Sequence, residues 1–149
     1  MIPVEQLKLL RQKTSVSFTL CKKALEQSRG NIEEAIKILQ KWGIEKAESK
    51  LSRATKQGGM FSYIHHNKKV GILFELLCET DFVAKTADFE KLGHEIALHI
   101  ASMNPNGKEE LLRQPYIKDP QKTIETLLKE YILKIGENIA VGRFIRFEL

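Results

Sequence analysis

Through residues 1 to 43 the apolar positions recur every three or four residues, the spacing that lines one face of a helix. Val4, Leu7 and Leu10 share one such face, Phe18, Cys21, Ala24 and Leu25 a second, and Ala35, Ile38, Leu39 and Trp42 a third. The residues between these stripes are those of helix ends. Thr14-Ser15-Val16-Ser17 supplies capping hydroxyls, Gly30 suits a left-handed terminus, and Asn31 with Glu34 has the spacing of a capping box. Gly43 is expected to stop the third helix. Three helices in so short a segment bury a marginal core, so the bundle needs support from elsewhere.

Residues 44 to 59 keep only a thin apolar line, Ile44, Ala47, Leu51 and Ala54, against Lys46, Lys50, Arg53 and Lys56. That pattern predicts a partly exposed linker helix ended by Gly58-Gly59, with the domain boundary there. From Met60 the period changes to two. Phe61 to His65 and Lys69 to Cys78 read as strands around a turn at His66-Asn67-Lys68. In the second strand Val70, Ile72, Phe74, Leu76 and Cys78 share a core face. The opposite face mixes Leu73 and Leu77 with Glu75 and Glu79, too apolar to stand free in water along its whole length.

Beyond this pair, Phe89, Leu92, Gly93, Ile96, Ile100 and Met103 trace a helix that ends at Asn104-Pro105-Asn106-Gly107, and residues 108 to 114 add a further turn or two. Asp119-Pro120 has the form of a helix start. It leads into the stripe Ile124, Leu127, Leu128, Tyr131, Ile132 and Ile135, closed by Gly136. The tail alternates, with Ile139, Val141, Ile145, Phe147 and Leu149 expected to face one way and Arg143 interrupting. The predicted fold is α+β: a three-helix bundle over 1–43, a linker over 44–59, and a core domain over 60–149. That core is a three-stranded, mainly antiparallel sheet with helices on one face.

Composition narrows the function classes. A chain of 149 residues has room for one domain and a small appended module. Lys and Arg number 24 against 19 Asp and Glu, but they are spread along the chain, so the net charge of +5 reads as a solvated surface and no nucleic-acid partner is expected. Cys21 and Cys78 each lie within an apolar periodic segment, as reduced core thiols do. No apolar run approaches the length of a membrane span. A reducing cytoplasm, or an organelle matrix, is the expected setting.

No constellation for bond chemistry emerges. His94 and His99 are five apart on one helix, not the four that aim two ligands at one metal, and His65-His66 sit at a turn. Gly58-Gly59 lacks the lysine and hydroxyl of a phosphate loop, and Glu33-Glu34 and Glu109-Glu110 fall at helix starts, where they offset the dipole. What remains is Thr80-Asp81-Phe82-Val83, at a strand-to-helix junction, with an acid to cap the helix and a large aromatic beside it. By pattern alone Phe82 either folds back onto its helix or reaches for a partner.

The run from Glu79 to Lys85 after an apolar strand resembles the signature of the elongation factor Ts family, the guanine-nucleotide exchange factors of elongation factor Tu. Cys21-Lys22-Lys23-Ala24-Leu25-Glu26 with Gly30 and the Ile32–Trp42 helix, and Lys134-Ile135-Gly136-Glu137-Asn138-Ile139, agree in the same order. The resemblance implies that residues 1–43 are a ubiquitin-associated-like bundle docking on elongation factor Tu, with Phe18 and Leu10 as docking positions. It implies that Thr80, Asp81, Phe82 and Val83 enter near the partner's nucleotide site and displace magnesium. Nucleotide and metal then belong to the partner, and the chain itself needs no cofactor.

Two departures accompany the likeness. Thr14-Ser15-Val16-Ser17 followed by Phe18-Thr19 stands where the family usually has Thr-Gly-Ala-Gly and a methionine pair. The chain also passes from its last helix straight into the closing strand, without the second core half of longer members. Short members form homodimers, so a dimer through the face carrying Leu73 and Leu77 is expected. The alternatives from other classes are an adaptor without exchange activity, and an RNA-binding accessory factor using the basic segment from Lys46 to Lys56.

Overall fold

A computed structural model describes Met1–Leu149. In chain order the elements are α1 (Val4–Thr14), α2 (Phe18–Gln27), α3 (Ile32–Lys50), β1 (Gln57–Ile64), β2 (Val70–Cys78) and α4 (Asp81–Ala84). They continue with α5 (Ala87–Met103), α6 (Lys108–Arg113), β3 (Pro115–Tyr116), β4 (Asp119–Thr123), α7 (Ile124–Ile135) and β5 (Ile139–Glu148). The class is α+β, and no helix is long and apolar enough to cross a membrane.

In the bundle, the side chain of Ser17 accepts from the Leu20 amide at 3.4 Å and that of Asn31 from the Glu34 amide at 3.1 Å. The Asn31 amide itself donates to the Ser28 carbonyl, so only half of the expected capping box forms. Leu7, Leu10, Val16, Cys21, Ala24, Leu25, Ala35 and Leu39 make a small separate core. Its support comes from α7, whose Leu133 packs against it.

That contact corrects the reading of Gly43. The helix runs straight through it to Lys50, so the expected bundle helix and linker helix are one. A side chain at Gly43 would come within 2.9 Å of the Leu133 side chain. The glycine is a notch that lets α3 and α7 approach, against an intrinsic helix cost of about 1 kcal/mol. Gly58-Gly59 likewise end no helix; they lie inside β1, where a Cβ at Gly58 would clash with the Leu76 carbonyl of the neighbouring strand.

The main sheet has the order β1-β2-β5, antiparallel throughout. Phe61, Ile72, Phe74, Leu76, Cys78, Ile139 and Val141 point from it into one core with Phe89, Leu92, Ile96 and Ile100 of α5 and Ile124, Leu127 and Ile132 of α7. Fully burying a side chain such as Phe74 or Phe89 contributes about 1.5–3 kcal/mol, which makes this face the principal source of stability. Both cysteines are buried and unpaired.

Two further expectations are corrected. Asp119-Pro120 do not start a helix: they lie in β4, paired with β3, and α7 begins at Ile124, where the Thr123 hydroxyl accepts from the Thr126 amide at 3.2 Å. The Asp119 carboxylate is taken by the Gln121 amide instead. In β5 the alternation breaks, because the pairing moves from Leu76↔Val141 to Phe74↔Phe144 and leaves Glu75 opposite both Gly142 and Arg143. Ile139 and Val141 therefore face the core, whereas Ile145 and Phe147 face outward with Arg143. Arg146 turns inward, donating from Nε to the Ala101 carbonyl in the last turn of α5 at 3.0 Å.

Candidate functional site

Strand β2 ends on the buried Cys78, and the chain leaves the sheet there. Thr80 is extended (φ −123°, ψ 150°), and its hydroxyl accepts from the Val83 amide at 3.3 Å, so Thr80, not the expected Asp81, caps the single turn α4. Thr86 then caps α5 by accepting from the Phe89 amide, and donates to the Val83 carbonyl at 2.7 Å. Val83 itself is 6% exposed and roots the turn in the main core.

With the turn held this way, Phe82 is 81% exposed and does not fold back onto its own helix. Asp81 lies at the first helical position, where its charge suits the dipole, and its Oδ2 meets Lys85 Nζ at 2.8 Å. This hydrogen bond and the charge of Asp81 raise the Lys85 pKa above its ordinary value. Both groups are well exposed, so the pair shapes the surface more than it stabilises the fold.

A second layer holds the turn from below. Glu137, just past the left-handed Gly136 (φ 88°), accepts from the amides of Glu79 (3.1 Å) and Thr80 (3.0 Å) at Oε1, and from the Thr80 hydroxyl (2.7 Å) at Oε2. Glu79 Oε1 in return accepts from the Asn138 amide at 2.8 Å and meets Arg53 at 3.5 Å. Asn138 Nδ2 donates to the Arg53 carbonyl at 2.9 Å, and Lys50 Nζ to the Gly136 carbonyl at 2.7 Å. Burial, then the neighbouring charges of Arg53 and Lys46, lower the Lys50 pKa. Glu137 was named in the sequence only as part of a matching stretch and was given no role at the site. Its signal was a carboxylate directly after a helix-closing glycine, within a stretch already singled out.

The two expected docking positions separate. Phe18 opens α2 and is 46% exposed beside Lys8, Arg11, Gln12 and Ser15. Leu10 is 0% exposed within the bundle core, where it packs beneath that surface. On the outer face of the main sheet Met60, Leu73, Ile145 and Phe147 are exposed around the Glu75–Arg143 pair, with Leu77 half-buried. The histidines are dispersed. His65 and His66 lie ring beside ring at the hairpin, tilted by 50°, His94 meets the Phe61 ring edge-on, His99 is buried, and no group of three ligand side chains could hold a metal ion.

A sequence model of the family described as Elongation factor TS matches residues 79–149, which begin at the strand-to-turn junction. Among curated proteins, the chain is similar to Elongation factor Ts of Thermosipho melanesiensis, 40% identical over 192 aligned residues that span 99% of this chain and 98% of the relative. Elongation factor Ts of Fervidobacterium nodosum is 38% identical over 193 residues with the same coverage. That of Aquifex aeolicus is 42% identical over 152 residues, 99% of this chain but 52% of the relative.

Proposed function

The chain belongs to the elongation factor Ts family, and from that premise we propose that it serves translation elongation by accelerating GDP release from elongation factor Tu. It would make and break no covalent bond of its own. The observation that carries this reading is the Phe82 ring, 81% exposed on a turn that is capped, rooted and held from below. An aromatic presented in this way loses little freedom when it enters a pocket, which is what an anchoring residue in a partner needs.

In this reading Thr80, Asp81, Phe82 and Val83 approach the partner's nucleotide site together. Phe82 inserts between partner helices, Asp81 engages polar groups beside it, and Thr80 and Val83 keep the turn in shape. The insertion displaces the magnesium ion, the largest charge offsetting the GDP phosphates, and GDP affinity falls. Exchange is accelerated only if the factor binds the nucleotide-free partner more tightly than the GDP-bound one. By the same reciprocity, GTP and magnesium expel the factor.

Phe18, with Lys8 and Arg11 around it, is the docking surface of the bundle, and a basic balance favours encounter with an acidic partner surface. Two copies join through the outer sheet face, covering Met60, Leu73, Ile145 and Phe147. Release of a fluorescent GDP analogue from elongation factor Tu tests the reading: an exchange factor speeds release catalytically, whereas an adaptor binds without changing the rate.

A further inference from the structure

We propose that Glu137 is the positioning residue of the exchange turn, fixing Phe82 through a relay of hydrogen bonds; this rests on the reading of Thr80–Val83 as the exchange element. Strand pairing of β2 ends at Cys78, opposite Gln57 on one side and Ile139 on the other, so the amides of Glu79 and Thr80 have no strand partner. Glu137 takes both at Oε1, at 3.1 and 3.0 Å. A single carboxylate oxygen thereby fixes the direction in which the chain leaves the sheet.

The other oxygen continues the relay. The Thr80 hydroxyl has one proton, and it donates that proton to Glu137 Oε2 at 2.7 Å. Its remaining lone pairs are then turned toward the Val83 amide, which donates to it at 3.3 Å and closes α4. The orientation of the cap, and with it the outward aim of Phe82, is set from a residue 57 positions further along the chain. A charged acceptor makes each of these bonds stronger than a neutral one would.

Glu137 is itself anchored. Glu79 and Glu137 exchange backbone partners, since the Glu79 carboxylate accepts from the Asn138 amide while the Glu137 carboxylate accepts from the Glu79 amide. Lys50 at the end of α3 holds the Gly136 carbonyl, and Asn138 binds the Arg53 carbonyl. The turn that carries Glu137 is therefore tied to the helix that also forms the bundle. Docking of the bundle and insertion of Phe82 share one rigid support.

The test compares Glu137→Ala, Glu137→Gln and Phe82→Ala with the parent in the GDP-release assay across a range of factor concentrations. Glu137→Ala is expected to lower the maximal exchange rate about tenfold, with the half-saturating concentration changed by less than about twofold, because a displaced reacting group costs rate more than docking. Glu137→Gln keeps the Oε1 acceptor for the two amides but loses the acceptor for the Thr80 proton, and is expected to fall between Ala and parent. Hydrogen exchange at the Val83 amide should quicken in both variants, and at the Thr80 amide in Glu137→Ala, while Ile96 in α5 stays protected, a split that general destabilisation would not produce. If Glu137→Ala does not fold, Glu137→Gln carries the same two readouts. Parental rate and parental Val83 exchange in the Glu137 variants, with Phe82→Ala impaired, overturns the positioning role alone. A parental rate in Phe82→Ala overturns the exchange reading itself.

Discussion

The ring of Phe61 fills the place where a side chain at Gly93 would stand, so helix α5 can lie on strand β1 only because residue 93 has no Cβ. Phe61 is pinned there by Phe74 and Phe89, with ring centroids at 6.3 and 6.0 Å, and cannot swing aside. Gly93→Ala would gain about 1 kcal/mol of helix propensity and lose about 1–3 kcal/mol to overpacking. The expected result is a lower midpoint of thermal unfolding, by a few degrees. A variant at least as stable as the parent would contradict this packing.

How much of the fold could be read from the sequence follows from such contacts. The helix stripes and the core face of β2 were legible because they depend on local periodicity. Gly43 and Gly93 were not, since their reasons are Leu133 and Phe61, far away in the chain. Asp119-Pro120 looked like a helix start, yet Thr123 provides the cap that forms. The two faces of β5 were misassigned past Val141, because the bulge depends on Glu75 of the neighbouring strand accepting from the Arg143 amide at 2.9 Å. In the candidate site, the position of Thr80–Val83 was visible as a break in a strand. The outward aim of Phe82 and the grip of Glu137 were not, because both arise from tertiary hydrogen bonds.

The outer sheet face makes a prediction about assembly. Phe147 is 69% exposed and Leu73 47%, on a face where apolar residues surround a bidentate Glu75–Arg143 pair. Sedimentation at micromolar concentration should give twice the chain mass of 17.1 kDa, and Leu73→Glu with Phe147→Glu should return it to a single chain. A parent that sediments as a monomer removes the joined-sheet proposal.

Acid stability should depend on His99. The ring is buried, its Nε2 lies 2.9 Å from Gln114 Oε1, and its Nδ1 accepts from the Ile117 amide at 3.4 Å, an arrangement only the neutral form satisfies. The nearby Tyr116 hydroxyl is held protonated, donating to Glu95 at 2.8 Å, with Lys118 also at Glu95. Burial lowers the His99 pKa, partly opposed by the Gln114 hydrogen bond. The unfolded chain therefore binds the proton more readily, at about pH 6.5, and this contribution is present above that pH and lost as pH falls through it. His99→Gln should shrink the loss of thermal stability between about pH 7.5 and about pH 5.5. An unchanged difference would contradict the assignment.

Phe18 and Leu10 should behave in opposite ways. Phe18→Ala removes an exposed ring and should raise the factor concentration needed for half-maximal GDP release several-fold, with little change in stability. Leu10→Ala leaves a cavity in a small core and should cost about 2–5 kcal/mol of bundle stability, read by denaturant unfolding. Equal effects of the two on stability would show that the bundle is packed differently.

The central claim is that the exposed ring of Phe82 drives nucleotide release. Its most direct measurement is the maximal rate of fluorescent GDP release from elongation factor Tu with the parent and with Phe82→Ala, each at saturating concentration. The account predicts clear acceleration by the parent and a loss of about tenfold or more in the variant, whose fold and dimer should be unaltered. A variant that releases GDP as fast as the parent would contradict it.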